Sequence, residues 1–153
     1  MAAYDPTTFD PRSAIPGLVA RLRMAWLDEL DERLVPFDLK AQDYIVLLMV
    51  ATGSDTASSI CSVLAHDPGA MTRKIDALEK RGLVRRVRSE EDRRAIKLEL
   101  TPEGKKLYPK ALAEAVGLAN DFLQGFSKAE VKTLEGLLKR ILDNAHAQAA
   151  VKG

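Results

Sequence analysis

The chain has 153 residues, of which 46% are hydrophobic, 29% charged and 5% aromatic, and its formal net charge is +1. These values predict one soluble globular domain and exclude disordered, fibrous and aromatic-rich barrel proteins. No apolar run approaches the length of a membrane span and no secretory signal begins the chain, so we expect a cytoplasmic protein without a membrane partner.

The sequence lacks the residue patterns typical of enzymes and metal sites. Cys61 is the single cysteine, which excludes an internal disulfide and fits a reducing compartment. His66 and His146 lie far apart without ligand spacing around them, so we predict no metal and no cofactor. No P-loop, GxGxxG, GxSxG, HExxH or paired CxxC pattern occurs, and we therefore predict that the protein is not an enzyme.

The charge is distributed unevenly along the chain. Between Met71 and Leu98 there are ten basic and five acidic residues, a net charge of +5, so the rest of the chain carries −4. A basic segment on a mildly acidic body is typical of a nucleic-acid binder. A solvated charged surface has the same composition, and charge alone leaves both interpretations open.

Two helices are predicted before the basic segment. Residues 1–12 show little periodicity and are predicted to form an arm. From Ser13 to Pro36 the apolar residues follow a helical period, at Ile15, Leu18, Val19, Leu22, Trp26, Leu30 and Leu34. A second helix follows Asp38 and is apolar enough to be nearly buried, and Gly53 is expected to end it.

Two shorter helices follow. Ser54 or Asp55 is expected to cap the third helix. Its predicted buried stripe consists of Ala57, Ile60, Cys61 and Leu64. The fourth helix is predicted to have Asp67 as its N-cap and Pro68 in its first position, and to end before Gly82. Its predicted buried residues are Met71, Ile75 and Leu78.

The period then changes from 3.6 to 2, which predicts a β-hairpin formed by Leu83–Arg88 and Ala95–Leu100. Its buried face is expected to carry Ile96, Leu98 and Leu100. Residues 89–94 are too polar to be buried and are predicted to form a projecting tip. Because a lone hairpin is not stable, we expect it to pack on the helices.

Two further helices complete the chain. Thr101-Pro102-Glu103 supplies a cap, a proline in the first position and an acid at the positive end of the helix dipole. The apolar residues of that helix are Leu107, Leu112, Val116, Ala119 and Leu123. The segment 127–130 is a capping box for the last helix. The apolar residues of the last helix are Val131, Leu134, Leu137, Leu138, Ile141 and Leu142.

The third and fourth helices, joined by a tight turn, predict a helix-turn-helix that extends through the hairpin, over about Ser54–Leu107. The predicted exposed positions of the fourth helix are Gly69, Ala70, Thr72, Arg73 and Asp76. Small residues at its start allow a close approach to the major groove of DNA, and an arginine can bind guanine through two hydrogen bonds. The alternative is that Arg73 is the ion-pair partner of Asp76 on a solvated helix.

The hairpin tip carries Asp92, Arg93 and Arg94. An arginine on a projecting hairpin suits a narrow minor groove, where the negative potential is enhanced. Asp92, bonded to one arginine or to tip backbone, can hold the tip so that the other arginine is aimed. Arg88, at the end of the first strand, is included among the predicted DNA contacts.

Four segments together resemble the MarR (multiple antibiotic resistance regulator) family: Asp67–Arg73, Leu78–Val84, Asp92–Arg94 and Leu98–Gly104. The resemblance implies a mainly α fold with a small β-hairpin wing, built as a winged helix-turn-helix with N- and C-terminal dimerisation helices. We therefore expect a single domain over 1–153, with a DNA-binding lobe at 38–107 and dimerisation helices at 13–35 and 108–148. It also implies a homodimer on double-stranded DNA, at a palindromic operator.

Particular residues match the family's functional positions. Thr72 and Arg73 resemble its recognition-helix contacts. Arg93 resembles its minor-groove arginine, with Asp92 and Arg94 as the brace behind it, although Arg93 and Arg94 can exchange these roles.

The family further implies a repressor that a small aromatic acid or phenolic ligand releases from DNA. Candidate ligand contacts are Arg23, Trp26, Tyr44, His66 and Arg86. The alternative for each of them is that it does not bind a ligand and instead lies in the core, in the dimer core or on a solvated surface.

Other functions stay open on the sequence alone. One is an architectural protein that coats DNA without an effector, and another is a helical module that binds protein. A third is a redox-responsive regulator acting through Cys61, although a buried thiol without an adjacent base behaves as a small hydrophobe.

Overall fold

The computed structural model describes residues 3–54, 56–64, 67–88 and 96–152. Within them the chain forms six helices and two strands, which confirms the mainly helical fold with a small hairpin. The elements are α1 (Ile15–Leu34), a 3₁₀ turn (Val35–Phe37), α2 (Ala41–Ala51), α3 (Ala57–Leu64), α4 (Pro68–Lys80), β1 (Val84–Arg88), β2 (Ile96–Leu100), α5 (Pro102–Phe122) and α6 (Lys128–Lys152). None of these helices is long and apolar enough to cross a membrane.

The chain divides into two compact units, residues 1–118 and 119–153. The first unit holds the hydrophobic core, to which all of α1 to α5 and the hairpin contribute. Its largest fully buried side chains include Leu30, Leu47, Ile75, Leu78 and Leu118. The second unit contains the end of α5 and all of α6, whose apolar residues stay largely exposed in the single chain.

Two carboxylates hold the junction of α1 and α2. A 3₁₀ turn follows α1, and Asp38 takes a left-handed conformation with φ of 52°. The first backbone N–H of α2, that of Ala41, donates to Asp31 Oδ1 of α1 at 2.5 Å. Asp43 accepts the N–H of Lys40 at 3.0 Å, so two carboxylates satisfy the start of α2.

The predicted cap of α3 is corrected to Thr56. The Thr56 hydroxyl oxygen accepts from the Ser59 N–H at 3.1 Å, and the Ser59 hydroxyl contacts the N–H of Thr56 in return. Within the predicted buried stripe, Ile60 is fully buried and Cys61 is half-buried. Ala57, the first residue of this short helix, is exposed.

The hairpin is antiparallel and pairs Val84 with Leu100 and Arg88 with Ile96. Leu98 and Leu100 are buried as predicted, but Ile96 is 57% exposed. Ile96 lies on the predicted face, but it belongs to the pair at the tip end of the hairpin, whereas the helices adjoin the opposite end. Alternation along a strand identifies a face and does not show where the supporting helices end.

The start of α5 is packed tightly against the turn before β1. The Thr101 hydroxyl accepts from the N–H of Gly104 at 3.1 Å, which confirms the predicted cap. The Thr101 N–H donates to the Leu83 carbonyl at 3.1 Å. A Cβ atom on Gly104 would stand 2.0 Å from that same oxygen, so only glycine fits here.

Helix α5 buries mainly small residues, and Leu107 and Leu112 are partly buried against the core. Its buried residues are Gly104, Ala111, Ala115 and Leu118, whereas Val116 is half-exposed. The small residues Ala111 and Ala115 form the packed face, which hydrophobicity alone did not distinguish from the larger residues beside it. At the start of α6 the capping box is confirmed, since Ser127 and Glu130 exchange side-chain and backbone hydrogen bonds at 2.8 and 3.3 Å.

Candidate nucleic-acid interface

Helix α4 has the local signals of a well-defined, outward-facing helix. Asp67 caps it by accepting the N–H of Ala70 at 2.9 Å, and Pro68 occupies the first position. At the other end Gly82 has φ of 68°, and the N–H of Leu83 donates to the Leu78 carbonyl at 3.0 Å. The predicted buried residues Met71, Ile75 and Leu78 are at most 1% exposed. The opposite face of α4 is therefore turned to solvent.

The exposed face at the start of α4 carries four of the predicted DNA contacts. Gly69, Thr72 and Arg73 are exposed, and Ala70 is half-buried. The Arg73 guanidinium folds back along the helix, since its NH1 atom lies 3.5 Å from the place of a Cβ on Gly69. The Thr72 hydroxyl donates to the Pro68 carbonyl at 2.9 Å, which leaves its oxygen free to accept. A cation and a hydroxyl acceptor thus lie together at the helix N-terminus.

The alternative ion pair between Arg73 and Asp76 does not form. Asp76 instead binds Arg86 of β1, at 2.6 Å. Among the residues that the structure describes, no carboxylate lies within ion-pair distance of Arg73. The guanidinium of Arg73 is therefore available to an external anion or base.

The structure sorts the basic segment into two groups. In the first group each side chain holds a carboxylate of the protein itself, and its members are Lys74, Arg81, Arg85 and Arg86. In the second group no ion pair is formed with a described residue, and its members are Arg73, Lys80 and Arg88. Four of the ten basic residues of the segment therefore hold carboxylates of the protein itself, a division that composition does not reveal.

Asp43 is the carboxylate that ties α4 to α2. Its side chain is only 14% exposed, and Lys74 Nζ lies 2.8 Å from its Oδ1 atom. Arg81 NH1 approaches the other oxygen at 3.9 Å. This residue escaped the sequence analysis because its partners stand 31 and 38 positions away.

Arg86, a candidate ligand contact, is bound within the lobe. Its guanidinium donates to Asp76 and to Glu79, both on α4. The hydrogen bond that Arg86 donates to Asp76 is the main reason that the pKa of Arg86 is raised above its ordinary value. The carboxylates at 76 and 79 stand three residues apart on one helix face, which is the signal that identifies them as a shared site for a guanidinium.

The wing is described only in part. Arg88, at the end of β1, is exposed as a DNA contact must be. The predicted tip contacts Asp92, Arg93 and Arg94 lie outside the described residues, as does the candidate ligand contact His66.

The remaining ligand candidates occupy different surroundings. Tyr44 is 5% exposed, and its ring stacks on that of Tyr108, with centroids 6.4 Å apart. Burial, and then the nearby Tyr108, raise the pKa of Tyr44, so this phenol stays neutral. Trp26 is half-buried against the core, and Arg23 is exposed on α1.

Tyr108, which the sequence analysis missed, also lines an open groove of ≈ 520 Å³ within the first unit. The groove lies between the end of α2, strand β2 and the start of α5. Its apolar wall consists of Val50, Leu98 and Leu100, and its polar residues include Glu99 and Lys105. Among the described residues, no group of three His, Cys, Asp or Glu side chains is arranged to hold a metal ion.

Several proteins of known class are similar to this chain in sequence. A model of the MarR family matches residues 37–95. The HTH-type transcriptional regulator PecS of Dickeya dadantii is 30% identical over 129 residues, which cover 82% of this chain and 78% of the relative. The multiple antibiotic resistance protein MarR of Salmonella typhimurium is 32% identical over 115 residues, which cover 74% of this chain and 80% of the relative.

Solved structures share the fold. The transcriptional regulator PA3341 has a TM-score of 0.80 at 34% identity, over 88% of this chain and 99% of that one. CouR from Rhodococcus jostii RHA1, bound to p-coumaroyl-CoA, has a TM-score of 0.78 at 25% identity, over 88% and 95%. A cysteine-to-serine mutant of MarR from E. coli, complexed with operator DNA, has a TM-score of 0.73 at 28% identity, over 88% and 99%. These matches confirm the predicted winged-helix fold, and the chain belongs to the MarR family of DNA-binding transcriptional regulators.

Proposed function

We propose that the chain is a homodimeric repressor that binds a palindromic operator and leaves it when a small aromatic acid binds. The observation that carries the DNA-binding part is the guanidinium of Arg73, which has no carboxylate partner among the described residues and lies beside Thr72 and Gly69 on the exposed start of α4. In this proposal residues 38–107 bind DNA, and the helical segments 13–35 and 108–148 form the dimer. The structure of E. coli MarR with operator DNA supports it by homology.

In the proposed complex, helix α4 and the wing both contact DNA. The start of α4 enters the major groove, where Arg73 binds a guanine and Thr72 a neighbouring base or phosphate. Arg88 contacts the backbone, and the wing arginine Arg93 enters the adjacent minor groove, braced by Asp92 and Arg94. Phosphate contacts fix the register, and base contacts supply the specificity.

The proposed operator is tested by selecting duplexes from a random library and footprinting the protein on them. Duplexes that the protein selects from a random library should share an inverted repeat, with half-sites about ten base pairs apart and each covered by one protomer. Uniform protection along any duplex would instead support the architectural alternative and contradict a repressor of one site.

The dimer is proposed from two unpartnered apolar stripes, one in each unit. On α1 the side chains of Ile15, Leu18, Val19 and Leu22 are 46–53% exposed. On α6 the side chains of Leu134, Leu137, Ile141 and Leu142 are 39–57% exposed. Each stripe follows a helical period, and large exposed apolar surfaces of this kind mark interfaces. We propose a second copy as the partner, because a palindromic operator requires a two-fold axis in the protein.

An acid within the α6 stripe should break the dimer. Because Ile141→Asp enters a symmetric interface twice, it removes two buried apolar side chains, worth about 1.5–3 kcal/mol each. The dimer dissociation constant should rise about 100-fold or more, as measured by sedimentation equilibrium. Ala147→Asp introduces the same charge on another face of α6 and should leave the dimer intact. Equal effects of the two variants would show that this stripe is not the interface.

The groove beside Tyr108 is the proposed effector site. Its volume of ≈ 520 Å³ suits a small aromatic ligand, and its wall is apolar. Lys105 stands one helical turn before Tyr108, so a cation lies beside an aromatic ring. Because β2 forms one side of the groove, an occupant can change the affinity for DNA through the wing. A solved structure of similar fold, that of CouR, is bound to p-coumaroyl-CoA.

Lysine variants distinguish this groove from general charge effects. We expect 4-hydroxycinnamate or p-coumaroyl-CoA to raise the Tm and to release the selected duplex. Lys105→Gln should weaken that binding by about tenfold, the value of one charge-assisted hydrogen bond. Lys106→Gln, which removes an exposed neighbour paired with Glu103, should have no effect. Binding that is identical in the two variants would place the effector elsewhere.

A further inference from the structure

One cluster of charged side chains joins the hairpin to α4. The guanidinium of Arg86 on β1 lies 2.6 Å from Asp76 Oδ1 and also donates to Glu79 Oε2. The backbone N–H of Arg86 donates to the other oxygen of Glu79, at 2.9 Å. These three hydrogen bonds link α4 directly to the first strand of the hairpin.

Apolar packing supports the base and the middle of the hairpin. Val84 and Leu100 pair with each other at the base, and both are buried. Leu98, also buried, pairs with Arg86 at the middle. At the far end of the ladder, Arg88 and its partner Ile96 are exposed. Arg86 lies midway, so its contacts with α4 are made where apolar support gives way to solvent.

The cluster is arranged to fix geometry more than to add stability. The side chains of Arg86, Asp76 and Glu79 are 32%, 56% and 36% exposed, and ion pairs of such exposure contribute little to global stability. A planar guanidinium that holds two carboxylates is, however, restricted in direction as well as in distance. It therefore limits rotation of the strand relative to the helix.

We propose that Arg86 is a positioning residue, which holds the wing at a set angle to α4 so that both reach adjacent grooves of one duplex. This inference rests on the proposed function, because it requires that both elements bind DNA. The same contact neutralises Asp76, a carboxylate on the exposed face of α4 that otherwise repels phosphate. Arg86 thus acts through the wing and not as a DNA or effector contact.

The variant Asp76→Asn separates positioning from simple charge, because the two explanations predict opposite results. If only charge matters, removing an acid from the DNA-facing helix tightens binding to selected and random duplexes alike. If Asp76 positions the wing through Arg86, the ratio of the two affinities falls on the order of tenfold, a typical coupling between charged groups in contact. Fluorescence anisotropy at one salt concentration measures both affinities on the full chain.

Arg86→Met and Arg85→Met form a matched pair. Each removes one ion-paired arginine from β1, but Arg85 binds Glu99 across the hairpin, at 2.7 Å, and not α4. We expect only Arg86→Met to lower the affinity ratio and to weaken hydroxyl-radical protection of the minor groove beside each half-site. Arg86→Lys should restore part of the affinity ratio and part of the protection, since an ammonium group keeps the charge but lacks the planar pair of guanidinium donors. The double variant with Asp76→Asn should be no worse than Arg86→Met alone.

Two results would overturn the positioning role. One is an equal affinity ratio in the Arg85→Met and Arg86→Met proteins. The other is an unchanged ratio with tighter binding to both duplexes in Asp76→Asn. The variant Arg73→Ala keeps this test separate from the proposed function, because unchanged operator binding in that protein would mean that α4 does not read DNA at all.

Discussion

Replacing Arg73 by alanine is expected to weaken binding to the selected operator roughly thirtyfold or more. A bidentate contact between arginine and guanine is worth about 1–3 kcal/mol of discrimination, and a homodimer on a palindrome makes the contact twice. Arg73 is exposed, and no described carboxylate competes for its guanidinium. Anisotropy titrations against the operator and against an operator with the contacted guanine replaced measure both affinity and specificity.

Lys80→Ala is the matched control for Arg73→Ala. Lys80 is also exposed, and its replacement removes the same charge from α4. It lies in the last turn, however, about 10 Å farther along the helix. We expect it to weaken operator and random duplexes equally, as a loss of nonspecific electrostatic attraction does. If Arg73→Ala likewise weakened both duplexes by the same factor, Arg73 would be a phosphate contact and not a reader of base sequence.

Gly104→Ala is expected to lower the free energy of unfolding by about 3 kcal/mol, from overpacking together with weakened hydrogen bonds. The added Cβ would lie 2.0 Å from the Leu83 carbonyl oxygen, which belongs to backbone and cannot turn aside. That oxygen also accepts from the Thr101 N–H and hydroxyl, at 3.1 and 3.3 Å. Helix α5 must therefore move away from the turn before β1, and the bonds of Thr101 weaken.

Thermal unfolding measures this loss as a fall in Tm of about 6–12 °C for a chain of this size. All variants are compared at one protein concentration, because association of protomers shifts the Tm. Gly136→Ala is the control, since nothing lies within 4 Å of an added Cβ on that exposed part of α6. We expect this control to gain about 0.5–1 kcal/mol from helix propensity. Equal Tm values for the two variants would contradict the need for a close approach at Gly104.

The best sequence predictions concern signals that act within a few residues. The Asp67 cap, the Gly82 helix end and the Ser127–Glu130 box are confirmed, because each depends on hydrogen bonds between neighbours in the chain. The three buried residues of α4 are confirmed for the same reason, since helical periodicity identifies a face locally. Even the error at the start of α3 is small, because Thr56 directly follows the expected capping residues.

The less accurate predictions concern how far a supporting surface extends. Ile96 and Val116 both have the correct hydrophobic character, yet both are half-exposed or more. Whether an apolar residue is buried depends on the length and tilt of the elements beside it, which a repeating pattern does not contain. The apolar stripe of α6 is likewise exposed in a single chain. In the proposed dimer the partner protomer covers it.

The winged helix-turn-helix and the basic character of the segment between Met71 and Leu98 were determined by the sequence alone, because caps, turns, periodicity and composition are local. Only the tertiary structure decided which cations hold carboxylates of the protein: Lys74 binds Asp43 and Arg86 binds Asp76 and Glu79. Arg73, by contrast, has no carboxylate partner in the part of the chain that the structure describes. Such pairs depend on which helix faces end up within about 4 Å of each other, a distance at which opposite charges associate. Residues that are 31 positions apart meet only after the chain has folded.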